Sequence, residues 1–179
     1  MAGGIRIRAE RRGDARTISK LVLRAYADVA YSDHREHLMI ERLRDTDAYD
    51  PRLSLLAEID GEAVGHILLT RARIVGTQSS VPTLALAPLS VVPEHQGAGV
   101  GRRLVKAAHE QATMLGFESI VLVGIQSYYL QLGYEPLGRY SISVPFDAPD
   151  ADRMILPLTP DALVGVAGTV EYPKAWLDH

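Results

Sequence analysis

Three glycines at alternate positions, Gly97, Gly99 and Gly101, follow the apolar run Leu89-Ser-Val-Val92 and lead straight into Val100-Gly-Arg-Arg-Leu-Val105. Glycine leaves the main chain uncovered, so its N–H groups approach anionic oxygens closely, and a helix starting there adds partial positive charge. The chemistry this spacing serves is the grip of a diphosphate. Gln96, Gly97, Ala98, Gly99, Val100, Gly101 and Arg102 form the cradle, with Arg102, Arg103 or Lys106 within reach of outer phosphates. A mononucleotide P-loop ends in Gly-Lys-Ser/Thr, whereas Gly101 is followed by Arg102 and Arg103. A dinucleotide fingerprint counted from Gly97 needs a glycine where Arg102 stands, although Glu118 lies at the distance of a ribose-binding acid.

Gln96-Gly-Ala-Gly-Val-Gly101 after a hydrophobic strand resembles the coenzyme A loop of the GNAT superfamily of N-acetyltransferases, with Gln96, Gly99 and Gly101 in its defining positions. Tyr129-Leu-Gln-Leu-Gly133-Tyr134 resembles that family's Tyr-x-x-x-Gly-Phe/Tyr signature. Val64 to Leu69, Ala87 to Ser90 and Gly168 to Pro173 are similar to its YhbS-like branch, so the likeness covers most of the chain. It departs from that branch at Gly124-Ile-Gln126, where Gly-x-Pro is usual, and at Gln131-Leu132, where Arg-Phe is usual. The resemblance implies an α/β (α+β) fold, a mixed, mostly antiparallel twisted sheet flanked by helices, with a splayed parallel strand pair at the coenzyme site. It also implies acetyl-CoA as co-substrate, a primary amine as acceptor and direct transfer in a ternary complex. Tyr129 falls in the position of the general acid. Some members carry a glutamate on the strand entering the loop; Thr83 to Val92 has no acidic residue, and Ala85 stands where that glutamate would align.

The residues available for the rest of the chemistry are fewer. His66 interrupts an apolar strand and is a candidate base through water, or a core histidine. His34, His37 and Glu41, with Asp33 and Glu36, lie in the segment that shapes the acceptor pocket in similar proteins, and they serve as base candidates or as readers of the acceptor. His37 and Glu41 are four residues apart, but there is no His-Glu-x-x-His pattern, so no metal is expected. Main-chain groups of Leu89, Ser90 and Val91 are expected to pair with the pantetheine arm where the strand splays. Two other readings are open: a non-catalytic acyl-CoA sensor, and an oxidoreductase that binds a dinucleotide.

The elements that must position these residues follow from periodicity. Ile5 and Ile7 alternate with Arg6 and Arg8, giving an opening strand over 4–9. Asp14 is expected to cap a helix reaching about Ala30, and Asp33 with Glu36 a second helix to Arg44. Leu53–Ile59, the turn Asp60-Gly61 and Ala63–Val75 form a hairpin. Thr83–Val92 reads as a central strand bent at Pro88, followed by a helix ended by Gly116 and a parallel strand over 119–124. Ser127 to Leu132 is a short helix, and Tyr134 returns as strand.

Length and composition set the bounds. At 179 residues the chain suits one domain over 1–179, with a core over about 4–145 and an extension over about 146–179. A net charge of −3 gives no reason to expect nucleic acid or an anionic membrane as partner. Without cysteine there is neither a disulfide nor a thiol nucleophile. With no apolar run of membrane-spanning length and no signal-like start, a cytoplasmic enzyme is expected, and a twofold dimer is the commonest assembly.

Overall fold

In the computed structural model, which describes residues 3–178, the chain builds a nine-stranded mixed sheet. In order the elements are β1 (Arg6–Ala9), α1 (Ala15–Tyr26), α2 (Glu36–Arg44), β2 (Ser54–Ile59), β3 (Glu62–Val75), β4 (Ser80–Val91), α3 (Val100–Met114) and β5 (Ser119–Val123). They are followed by α4 (Gln126–Leu130), β6 (Glu135–Pro136), β7 (Ile142–Ser143), β8 (Arg153–Pro157), β9 (Gly168–Glu171) and α5 (Lys174–Leu177). The main path runs β1-β2-β3-β4-β5-β8-β6, with β9 joined to β3 and β7.

Antiparallel pairing dominates, and the Asp60-Gly61 hairpin joins β2 to β3 as expected. The β4–β5 pair is parallel because the α3 crossover connects them. Helix α1 buries Ile18, Leu21, Val22 and Ala25, and α3 buries Val100, Leu104, Val105, Ala108 and Ala112. Burying each large aliphatic side chain contributes about 1.5–3 kcal/mol, so these two stripes anchor the helices firmly to the sheet.

Local caps differ from expectation because other nearby donors compete for the carboxylates. Asp14 precedes α1 without capping it; its carboxylate accepts from Arg8 Nη1 at 2.8 Å and the Arg11 N–H at 2.6 Å. Helix α1 stops at Tyr26 rather than near Ala30. In place of a capping box, Asp33 accepts from the Arg35 N–H at 2.9 Å, Glu36 accepts from the Ser32 hydroxyl, and α2 begins only at Glu36. The strand after Tyr134 shrinks to Glu135–Pro136, and β7 spans only Ile142–Ser143.

The largest difference lies beyond residue 146. That segment is part of the sheet: β8 pairs along all five residues of β5 and separates it from β6, while β9 pairs with the outer end of β3. Met154, Ile155 and Val170 are almost wholly buried, so residues beyond 146 contribute side chains to the core.

Candidate active site

The cleft begins where β4 leaves β5. Their pairing covers only Leu84 with Ile120 and Ala85 with Val121, although β4 continues to Val91. On its other edge β4 shifts register against β3 between Ile67 and Leu69, next to the Ala87–Pro88 peptide, which is cis. The expected bend at Pro88 is therefore present, and the open wedge beyond Ala85 is a cleft of about 570 Å³. Its lining includes Leu86 to Leu89, Val91, Gly101 and Gly124 with four tyrosines, Tyr26, Tyr31, Tyr128 and Tyr129.

A second hollow of about 330 Å³ lies over the glycine loop, lined by Gln96, Gly97, Gly99, Val100, Gly101 and Arg102 with Val91, His95 and Tyr128. Gly99 holds φ 86 and ψ 5, a left-handed conformation that turns the chain directly into α3. The first intrahelical bond runs from the Arg103 N–H to the Gly99 carbonyl at 3.1 Å, and no side chain caps the helix. Helix geometry then leaves the N–H groups of Val100, Gly101 and Arg102 without a partner inside the helix. The first turn also holds Arg102 and no acid, so the positive end of the helix dipole is reinforced rather than offset. This combination suits a multiply charged anion.

Tyr129, on α4, is 9% exposed and sits at the splayed end, its ring edge-on to Tyr128 at 5.0 Å and to Tyr134 at 5.5 Å. Burial, followed by the neighbouring phenols, holds its hydroxyl pKa well above the ordinary tyrosine value, so the group stays a proton donor throughout the neutral range. Tyr134 is itself buried and hydrogen-bonded to His109 Nε2 at 2.9 Å, which braces the aromatic row from behind.

With this geometry in place, the comparisons with known proteins are decisive about family. Residues 19–134, well over half of the chain, match the model of the acetyltransferase (GNAT) family. The chain belongs to the GNAT family. It is 36% identical over 143 residues to the N-acetyltransferase YjhQ of Escherichia coli, covering 79% of this chain and 76% of that one. Its fold is that of the E. coli GNAT protein YhbS, solved in complex with CoA, at a TM-score of 0.89, 24% identity and coverage of 99% and 94%. A GNAT acetyltransferase from Brucella melitensis, solved with acetyl-CoA, aligns at a TM-score of 0.79 and 31% identity over 97% of this chain and 98% of that one.

Within this GNAT fold the expected site residues separate into groups. Gly97, Gly99, Val100, Gly101 and Arg102 come together at the start of α3, while Ala98 is exposed and lines neither hollow. The Gln96 side chain turns back to donate to the Val91 carbonyl at 3.0 Å, so it fastens the loop to β4. Leu89 and Val91 line the cleft, but the Leu89 carbonyl already accepts from the Tyr26 hydroxyl at 2.8 Å. Ser90 does not line it; its residue faces His66 in the β3–β4 register, and its hydroxyl is buried. The even spacing of a strand puts alternate residues on opposite faces, which splits the expected Leu89-Ser90-Val91 set.

The base candidates do not reach the cleft. His66 is wholly buried, with Nε2 2.8 Å from Ser54 Oγ, and the Ser54 hydroxyl donates to Glu10, which also accepts from Arg44 at 2.8 Å. Since the only Ser54 proton is given to a carboxylate, His66 Nε2 must carry the hydrogen, and the ring is the neutral Nε2–H tautomer. Burial and the nearby Arg44 charge push its pKa down to about 3, so it is a core residue rather than a base at neutral pH. His34 and Glu41 are exposed, His37 is partly buried, and none of the three lines either hollow. Among the described residues no group of three His, Asp or Glu side chains could hold a metal ion. Sequence reasoning missed Tyr26 and Tyr128. Tyr26 could have been found at the i+4 position from buried Val22, one turn along the same helix face.

Proposed function

We propose that the protein is an acetyl-CoA-dependent N-acetyltransferase acting on a primary amine. The observation that carries this reading is the juxtaposition of unclaimed helix amides and a protonated, buried phenol at the two ends of one cleft. The amides of Val100, Gly101 and Arg102 would hold a diphosphate. The N–H groups of Leu89 and Val91, at the open edge of β4, would take the amides of a pantetheine arm, as an added strand does. When bound, the carrier supplies an activated acyl thioester.

In this reading the Tyr129 hydroxyl donates a hydrogen bond and then its proton to the departing sulfur, a role that needs a donor still protonated at neutral pH. Tyr134 and Tyr128 fix the ring for that transfer. Among the described residues no carboxylate or imidazole lines the wedge beside Tyr129, so the amine loses its proton to solvent before attack or through water. Activity should accordingly rise with pH toward the acceptor's own pKa.

A melting comparison tests the assignment directly. A ligand that binds only the native state raises its stability by mass action, so coenzyme A should raise Tm and NAD should not. Protection by NAD, or none by coenzyme A, would sink the reading. Release of free thiol from acetyl-CoA, accelerated by members of an amine panel, then separates an enzyme from a sensor.

A further inference from the structure

The sequence carries two adjacent tyrosines on α4, and the reading above gives a hydroxyl role only to the second. Tyr128 lines both hollows, which share Val91, Gln96, Gly101 and Tyr128 as their common wall. Its hydroxyl oxygen lies 2.7 Å from where a Cβ on Gly101 would stand. Gly101 lies inside α3 and is not among the residues of positive φ, so its backbone does not demand glycine. The absence of a side chain there leaves room for the Tyr128 hydroxyl against the first turn of the helix.

We infer that Tyr128 is a cofactor-positioning residue whose hydroxyl donates to the diphosphate of the carrier, closing over the amides of α3 from the opposite side. This deepens the proposed function and rests on the glycine loop taking a diphosphate. A phenol supplies one donor and no charge, so it adds direction to an anion site already made positive by Arg102. Tyr128 also stands edge-on to Tyr129 at 88°. Seating the diphosphate under Tyr128 therefore sets the ring that the proton donor leans on. The two tyrosines divide the work: Tyr129 acts on the leaving sulfur, and Tyr128 registers the carrier lengthwise in the cleft.

The test compares acetyl-CoA with acetyl-pantetheine, a thioester that ends before the diphosphate, in the full chain and in Tyr128→Phe. Loss of one hydrogen bond to a charged group predicts that KM for acetyl-CoA rises about tenfold in the variant, with little change in kcat. The preference for acetyl-CoA over acetyl-pantetheine should fall by the same factor. A preference equal to that of the full chain, or a loss in kcat alone, would overturn the assignment. Phenylalanine keeps the ring packing, and Gly101→Ala provides a second route by displacing the hydroxyl. Its loss of preference should not add to that of Tyr128→Phe, and full additivity would also count against the proposal. If coenzyme A fails to protect the unaltered chain against melting, the diphosphate site itself falls; if it protects the chain and Tyr128→Phe equally, only the role of Tyr128 does.

Discussion

The start of α3 and the surroundings of His66 are both polar, and they treat polarity in opposite ways. Around His66 the groups pair inside the fold: Arg44 and Ser54 donate to Glu10 and His66 donates to Ser54, while among the described residues His66 Nδ1 and Arg44 Nη2 are buried without a partner. At α3 the amides have no protein partner, the turn carries cations, and the hollow opens to solvent. Polar groups sealed in the core are out of reach of any reactant, whereas polar groups facing a hollow on one side are placed for something that arrives. The difference explains why His66, which interrupts a buried strand, lines neither hollow.

The strongest way to break this comparison is at the open end. Tyr129→Phe should lower kcat by about 100-fold while leaving protection by coenzyme A in place, as removal of a general acid does. A steady-state assay beside a melting curve reads both, and unchanged turnover would reduce Tyr129 to a packing residue.

At the closed end the prediction concerns pH. The unfolded chain protonates a histidine near pH 6.5, whereas folded His66 does so only near 3, so stability rises with pH between these values and is lost on acidification. At pH 5 this loss is on the order of 2 kcal/mol relative to pH 7. His109, pushed down by burial to about 4, adds to it in the same direction. Urea denaturation of the unaltered chain and of His66→Gln at pH 7 and pH 5 checks this, and equal pH slopes in the two proteins would refute it.

A smaller effect tests the loop. Gly99→Ala forces a side chain into a left-handed conformation and should destabilise the fold by about 1–2 kcal/mol, with weaker coenzyme A binding as the amides shift. Smallest of all is the ion pair of Arg24 with Glu94, exposed on both sides, where Glu94→Gln should hardly move the urea midpoint. A larger loss there would mean that the link from α1 to the coenzyme loop organises the cleft.

How far the sequence was legible depends on the distance over which each feature is decided. The hairpin at Asp60-Gly61, the β4–α3–β5 unit and the glycine cradle are local, and their residues carry their own turn chemistry and periodicity. The caps of α1 and α2 were misread because Arg8 and Ser32 compete for the same carboxylates, and such competition depends on where the chain folds back. The place of β8 between β5 and β6 was hidden as well, since a five-residue apolar strand does not state its neighbours. Tyr26 reached the site only because α1 lies against the end of β4, where its hydroxyl meets the Leu89 carbonyl.

The sequence by itself determined the family and the glycine turn that opens α3, because glycine spacing and the start of a helix act within a few residues of chain. Only the tertiary structure decided that His66 is sealed in the core, that Tyr128 stands over Gly101, and that the last strands belong to the central sheet. Burial and partnership arise between residues far apart in the chain, and no local pattern encodes them.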